Sequence, residues 1–457
     1  MYCARRVLSR TFLLGAVSLV VLTSPGVFFA GGKKTTNDVR GHEWHDTVSD
    51  GASLRKRVLA LAKLQAPPAV YPAEGIPAQI GLRALFYEAL PYRGKSTRVF
   101  AWYGAPSKTV GKVPAVILVH GGGGTAFTEW VRLWNEHGFA ALAIAVEGQT
   151  DQHEADGKTW QRHQWAGPAR QGIYEDATEP LADQWMYHAV ADVILAHSLL
   201  RSFPEVDSRR IGLVGISWGG VIVATVAGLD SRFSFAIPIY GCGHLTEAEN
   251  QYGVSLARNQ VYKEVWEPSL YLGHARMPIL WLTDLQDEHF PLNSQLASAR
   301  SAPGPRVISV LPELKHSHKA GWGAQESYSF AESVVRKGQP GIRQTGHSNT
   351  GEIVSAEFET KRLIDSAVVV TTVDSGYTGK RHWTMMPADL QKLGGQLRVT
   401  ARLAVGVRAY FFNLHSQEGI TSSEFTETGY SKAVQSLTHA LVNRPLALSH
   451  FCRQLTP

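Results

Sequence analysis

The sequence predicts an α/β fold, a mostly parallel sheet with helices on both faces over residues 80–337, followed by a smaller β-sandwich over 341–430. Three observations carry that reading. Short runs that are apolar on both faces alternate with longer stretches of helical periodicity, the mark of a parallel sheet covered on both sides. After Pro340 the texture changes to β-branched alternation broken by turn dipeptides. The chain is 457 residues long, 44% apolar and 18% charged. That is enough for about two to three domains of roughly 150 residues with a large core, and it excludes disorder as the dominant state. The 43 glycines follow no three-residue period, so a collagen-like chain is excluded as well.

The elements follow in order. Residues 31–79 form a polar N-terminal arm with helical spacing over Leu54–Leu64. Ile80–Trp102 is extended and supplies one or two edge strands. Continuous apolar strands are expected at Ala115–Val119, Ala140–Val146, Ile211–Ile216, Phe235–Tyr240, Ile279–Thr283 and Val307–Leu311. Between them lie helical stretches at Phe127–His137, Trp185–Ser202, Val221–Gly228 and Ala324–Lys337. In the second of these, Val190, Val193, Ile194, His197 and Leu200 recur at three- and four-residue steps, which predicts an amphipathic helix. A Gly/Pro linker at Gly338–Gly341 leads into sandwich strands at Ala367–Val373, Gln396–Arg402 and Arg408–Leu414. Asp374-Ser375-Gly376 and Gly394-Gly395 supply turns. The tail 431–457 reads either as a helix over Ser431–Val442 or as poorly ordered chain.

Residues 1–30 have the order of a signal peptide: Arg5, Arg6 and Arg10, then an apolar run Thr11–Leu22, then Ser24, Pro25, Gly26 and Ala30. A run of 12 residues is short for spanning a bilayer. The expected location is secreted or periplasmic, with no membrane segment after cleavage. Cleavage lowers the net charge from +6 to +3. No Lys/Arg-rich run forms a nucleic-acid stripe. Cys3 leaves with the signal, and the sequence leaves open whether Cys242 and Cys452 pair. No cysteine or histidine spacing forms a metal site; the patch Gly41–Asp46 reads as a solvated linker.

The strongest chemical signal is Gly215-Ile216-Ser217-Trp218-Gly219, placed between a strand and a helix. The serine sits on a cramped turn where its neighbours must lack side chains. Ser217 is the candidate nucleophile, and the Trp218 backbone N–H the candidate donor to a developing oxyanion. His120-Gly121-Gly122-Gly123-Gly124 ends the first apolar strand. Its glycines allow close backbone approach to a substrate oxygen, so Gly122 and Gly123 are candidates for completing an oxyanion hole. No Lys-Ser/Thr follows, which argues against a phosphate-cradling loop.

An acid should follow a later strand. Thr283–Pro291 offers Asp284, Asp287 and Glu288; Asp287 is preferred because it lies past the strand on the turn, with Asp284 read as turn-forming. A base should follow the last strand, in Glu313–Trp322. His318 is the first choice and His316 the second, because His318 lies deeper in the loop with Ser317 before it and Gly321 behind. The acid would hold the imidazole tautomer while the ring takes the serine proton. The long polar segment Glu147–Asp183 reads as a lid or binding loop. Trp130, Trp134, Trp160, Trp165, Trp218 and Trp322 could offer faces to sugar rings. Two or three of these six are expected at a site, and His120, Trp160, Trp165 and Trp322 are taken as candidate substrate contacts.

With these residues in place, the chain resembles α/β-hydrolases of the acetyl xylan esterase / cephalosporin-C deacetylase type, in their exported bacterial branch. The resemblance runs over about residues 80–337, through His120–Gly124, Trp185–Asp192, Gly215–Gly220, Ile239–Gly243, Asp287 with Phe290-Pro291, and His316-Ser317-His318. Ser366–Thr372, Arg381-His382-Trp383 and Ala409–Asn413 are similar to the immunoglobulin-like module that accompanies this branch. The resemblance implies a serine esterase removing acetyl or other small acyl groups from carbohydrate, needing no metal or organic cofactor. The partner would be a small ester or an acylated polysaccharide; the oligomeric state is not read. Two alternatives stand beside it. One is a serine peptidase of the prolyl-oligopeptidase type, disfavoured because too little chain precedes the sheet for a propeller. The other is an inactive hydrolase fold that binds carbohydrate.

Overall fold

In the computed structural model, which describes residues 50–107 and 110–428, fourteen strands join into one sheet. The expected signal segment, the patch 41–46, the helix expected over Ser431–Val442 and Cys452 lie outside those residues. The strands are β1 (Val70–Pro72), β2 (Leu82–Tyr92), β3 (Lys95–Gly104), β4 (Val113–Val119), β5 (Ala140–Ile144), β6 (Gln149–His153), β7 (Trp160–Arg162), β8 (Val206–Ile216), β9 (Phe235–Ile239), β10 (Ile279–Asp284) and β11 (Arg306–Leu311). The C-terminal region adds β12 (Ile342–Thr350), β13 (Ile353–Thr360), β14 (Ser366–Thr372), β15 (Thr384–Pro387), β16 (Asp389–Leu393), β17 (Gln396–Arg402), β18 (Ala409–Ser416), β19 (Gly419–Ser422) and β20 (Thr426–Glu427).

The sheet runs β1-β2-β3-β5-β4-β8-β9-β10-β11 before the C-terminal strands join it. From β5 to β11 every pairing is parallel, and β1–β3 are the antiparallel edge. Register matters for function. Val119 lies level with Ile144 and Gly215, Ile216 with Ile239, Ile239 with Leu282, and Asp284 with Leu311. Residues leaving β4, β8, β10 and β11 therefore emerge along one edge of the sheet, the carboxyl edge where open α/β sheets form their clefts.

Both faces of the sheet are covered. On one, the helix Trp185–Leu200 is buried at every residue but Tyr187. It is therefore not the amphipathic helix its spacing predicts. Its outer side is roofed by the edge strands and the N-terminal arm: Tyr87 Oη donates to the Asp192 carbonyl at 2.9 Å, and Ser198 Oγ to the Leu64 carbonyl at 2.7 Å. A helix apolar around its whole circumference belongs in a core. On the other face, Trp130 and Trp134 of the helix Thr128–Glu136 are 1% and 0% exposed. They are core residues, each removing roughly 200 Å² of mostly apolar surface from water.

The C-terminal strands form two antiparallel sheets. One, β12-β13-β17-β16, packs Val354, Phe358, Leu397 and Val399 against Ala367, Val369, Tyr410 and Phe412 of the other. The hairpin β12–β13 and the strands β15 and β16 add to the three strands expected from sequence. The inner sheet is continuous with the parallel one: β19 pairs with β11 through Ile308 and Ser422. Side chains extend that junction, with Asn413 Nδ2 donating to the Val310 carbonyl at 3.0 Å and the Val310 N–H donating to Ser422 Oγ at 2.8 Å. Alternate residues Val370 and Phe411 turn the other way, onto Leu292 and Leu296.

Candidate active site

Ser217 sits between β8 and the helix Trp218–Ala227 with φ 57° and ψ −117°. That is a conformation a non-glycine residue holds only when its surroundings over-determine it. The surroundings are backbone. A Cβ on Gly215 would run into the Gly219 carbonyl, and one on Gly219 into the Val119 carbonyl. The Ser217 N–H donates to the Ile239 carbonyl at 2.9 Å, which pins the turn to β9. The first intrahelical bond is Val221 N–H to Ser217 O at 3.0 Å, so the N–H groups of Trp218, Gly219 and Gly220 have no partner within the helix.

The imidazole beside Ser217 belongs to His316. Its Nε2 lies 2.9 Å from Ser217 Oγ and its Nδ1 2.7 Å from Asp287 Oδ2. Asp287 is 2% exposed, and its Oδ1 accepts from the His289 and Phe290 N–H groups at 2.7 and 2.9 Å. One carboxylate oxygen is thus held by backbone, and the other is left for the ring. The ring is clamped between Tyr240 and Phe290, centroids 4.4 and 6.0 Å away. Asp284, at the end of β10, makes no bond to either histidine among the described residues; burial and the nearby Asp287 raise its pKa to about 6.

The expectation for His318 is corrected. Ser317 caps the short helix His318–Gly323, its side chain accepting from the Ala320 N–H at 3.1 Å, and Tyr240 Oη donates to the Ser317 carbonyl. The cap turns the chain, so the residue before it faces Ser217 and Asp287 while the residue after it faces the glycine loop. His318 Nε2 accepts from the Gly121 N–H at 3.0 Å. Burial and the neighbouring His120 lower the His318 pKa to about 4, so the ring is neutral near pH 7, as an acceptor must be.

The glycine loop is held by side chains on several sides. Gly121 lies so close that a Cβ there would be 2.8 Å from the Ile216 carbonyl and 2.9 Å from Ser217 Cβ. A Cβ on Gly124 would come within 2.6 Å of His318 Nε2. His120 is a correction too. It is 1% exposed and cannot touch a substrate. Its Nδ1 lies 2.7 Å from the Gly121 carbonyl, and its Nε2 accepts from the Val146 N–H and the Gln149 amide, each at 3.0 Å. Burial, with Arg170's charge adding, lowers its pKa to about 4. It braces the loop from beneath.

The segment 147–183 folds its first part into the hairpin β6–β7, which brings Trp160 to the loop: Trp160 Nε1 donates to the Gly123 carbonyl at 2.9 Å. Trp322 stands nearby, its ring 5.0 Å from Phe127, which also meets Trp160 and His318 at 6.2 and 5.0 Å. Trp165 is not brought here. It packs on Phe86, with the Arg98 guanidinium 4.2 Å from its ring, against the edge strands. Of the six tryptophans singled out, Trp160, Trp218 and Trp322 border the Ser217 region.

Two residues at the site are not singled out by the sequence. Phe127 links three of the aromatic groups. Arg170 reaches from the loop to Gly122, where a Cβ would lie 3.0 Å from Arg170 Nη2 and 3.1 Å from Trp218 Cδ1. No motif marks either residue: Phe127 only opens the helical stretch 127–137, and Arg170 is one polar residue in the long segment 147–183. Among the described residues no group of three His, Cys, Asp or Glu side chains could hold a metal ion, and no helix is long and apolar enough to cross a membrane.

Residues 62–268 match the acetyl xylan esterase (AXE1) family model, a span that includes the glycine loop and Ser217 and ends before Asp287 and His316. An acetyl xylan esterase from a Paenibacillus species is similar at 23% identity, over 59% of this chain and 90% of that one, with a TM-score of 0.46. Acetyl xylan esterase 1 from a Thermoanaerobacterium species is similar at 21% identity over 60% and 90%, TM-score 0.47. An acylaminoacyl peptidase from Pyrococcus horikoshii is similar at 19% identity over 56% and 42%, TM-score 0.42. The parallel sheet, the strained serine turn at the end of β8 and the family match over 62–268 agree: this part of the chain has the α/β-hydrolase fold and is similar to the acetyl xylan esterase family.

Proposed function

We propose that the protein is an exported serine esterase that removes acetyl or other small acyl groups from carbohydrate through an acyl-enzyme. The observation that carries this reading is the hydrogen-bonded series Ser217 Oγ, His316 Nε2, His316 Nδ1, Asp287 Oδ2, at 2.9 and 2.7 Å. Asp287 keeps the proton on Nδ1, leaving the Nε2 lone pair toward the hydroxyl. Ser217 Oγ attacks the ester carbonyl carbon as His316 takes its proton. The carbonyl oxygen gains the negative charge, which the Trp218 N–H and the N–H groups of Gly122 and Gly123 stabilise. Loss of one such donor typically costs about 3 kcal/mol of transition-state stabilisation. Collapse of the intermediate breaks the bond to the alcohol oxygen, which takes the proton from His316 and departs. Water, deprotonated by His316, then attacks the acyl-serine; carboxylic acid leaves and Ser217 recovers its proton.

Aromatic faces at Trp160 and Trp322 support a sugar-bearing alcohol, because a pyranose presents a flat C–H face. The reading is tested by acetate release from acetylated xylan and by p-nitrophenyl acetate hydrolysis, parent against Ser217→Ala. Turnover by the parent and its loss in the variant are expected. Equal rates would refute the proposal. Export is tested by N-terminal sequencing of protein recovered from outside the cytoplasm, which should begin near residue 27 or 31.

A further inference from the structure

Arg170 stands where a substrate would meet the glycine loop, and only part of its guanidinium is used. Nη1 donates to the Gly172 carbonyl at 2.6 Å, and Nε reaches Glu147 Oε1 at a long 3.4 Å. Nη2 makes no hydrogen bond among the described residues. It is the atom that a Cβ on Gly122 would meet at 3.0 Å, next to Trp218 Cδ1. The guanidinium carbon lies 5.0 Å from the Trp218 ring centroid, so the group is laid against the residue that follows Ser217. A Cβ on Gly121 would meet Ser217 and one on Gly122 would meet Arg170, so these residues lie side by side.

The charges around it leave a positive excess. Glu147 is the one carboxylate within ion-pair distance of Arg170 among the described residues, and its charge also acts on Arg162. Burial raises the Glu147 pKa while both arginines oppose that shift. Elsewhere around Ser217, His120 and His318 are neutral near pH 7, and the Asp287 charge is engaged by His316 and two backbone N–H groups. A free pair of N–H donors on a cation, at the edge of a reaction site, matches the oxygen of a carboxylate.

We propose that Arg170 is a specificity-determining residue that recognises a carboxylate carried by the ester substrate close to the bond that is cut. This rests on the esterase reading above and narrows it. The carboxylate has two sources: the alcohol side, as in a uronic acid unit, or the acyl side, as in the half-ester of a dicarboxylic acid.

The test measures kcat/KM for two pairs of substrates. 4-Acetoxybenzoate against 4-acetoxybenzamide places the charge on the alcohol side; monoethyl succinate against ethyl butanoate places it on the acyl side. The charged member should be preferred in at least one pair by about tenfold or more, the worth of a charge-assisted hydrogen bond. That preference should fall by about tenfold in Arg170→Gln, with part of it kept in Arg170→Lys. In the parent enzyme the preference should also shrink as salt rises, a readout that needs no variant to fold. Absence of a preference in both pairs, or a ratio unchanged in Arg170→Gln, overturns the proposal. Failure to hydrolyse any of the neutral esters, p-nitrophenyl acetate included, would instead count against the esterase reading.

Discussion

The two loops that meet at Ser217 are held in shape by opposite means. The turn 215–220 is held by backbone against backbone: a Cβ at Gly215 or Gly219 would strike a carbonyl, and the Ser217 N–H is tied to β9. The loop 120–124 is held by side chains: its own His120 with Gln149 beneath, His318 on one side, Trp160 on another. The first loop is fixed by backbone packed against β4 and β9. The second is rigid only in company. In the proposed mechanism the attacking hydroxyl sits on the first loop, and the aligned N–H donors depend on the second.

The largest effect should come from the pair of histidines two residues apart. His316→Asn should lower kcat/KM by about 10⁴-fold or more, as loss of a member of a hydrolytic triad does. His318→Asn should lower it by only about ten- to a hundredfold, through the loosened Gly121 N–H. Steady-state kinetics on p-nitrophenyl acetate decide this, and the reverse ranking would return the base to His318. Next, Gly219→Ala should destabilise the fold by about 2 kcal/mol or more, since overpacking against backbone cannot relax. Gly123→Ala meets no atom, but its φ of +70° makes the cost about 1 kcal/mol. Chemical denaturation of both variants tests whether backbone crowding really separates the two loops.

A third effect is a dependence on pH. His120 and His318 are held at about 4, below their ordinary 6.5, by burial. Between those values the unfolded chain binds protons that the folded chain refuses. The stability they contribute is therefore complete above pH 6.5 and is lost as pH falls toward 4, about 3 kcal/mol for the fully buried His120. Asp284, raised to about 6, and Glu147, also raised, act in the opposite sense, so the parent's net curve mixes both. The difference in melting temperature between parent and His318→Asn isolates the histidine: the gap should narrow as pH drops from 6.5 to 4, and a gap independent of pH would show that the ring is not held neutral. The smallest effect should be Trp160→Phe, which removes the donor to the Gly123 carbonyl and should cost about fivefold in kcat/KM, or about 1 kcal/mol.

This contrast also explains what could be read from the amino-acid order. Strands apolar on both faces reveal a parallel sheet, because nothing else buries such runs. The serine turn announces itself because G-x-S-x-G between a strand and a helix is a local signature, although the carbonyls that require Gly219 belong to Val119 and His120. Asp287 is preferred over Asp284 in the sequence as the residue past the strand end, and it is the carboxylate that meets His316. The choice between His316 and His318 was not legible. It depends on where Ser317 starts a six-residue helix and on the Tyr240 hydroxyl that anchors it. His120 reads as a site residue by position, yet its nitrogens are consumed by Gly121, Val146 and Gln149. The helix Trp185–Leu200 shows the same limit: its spacing suggested a solvent face, and residues from the N-terminal arm and the edge strands cover that face.

The meeting of β11 and β19 bears on how this chain can be cut. A parallel sheet that stopped at β11 would present an open row of amide and carbonyl groups, the template on which strands from other molecules assemble. Here Ser422 and Asn413 answer the groups of Val310, and Ser309 Oγ donates to the Ile420 carbonyl. Shortening the gene after residue 340 would thus release a fragment with every residue of the Ser217 region present and a sticky border, one that precipitates or self-associates before its turnover can be assayed.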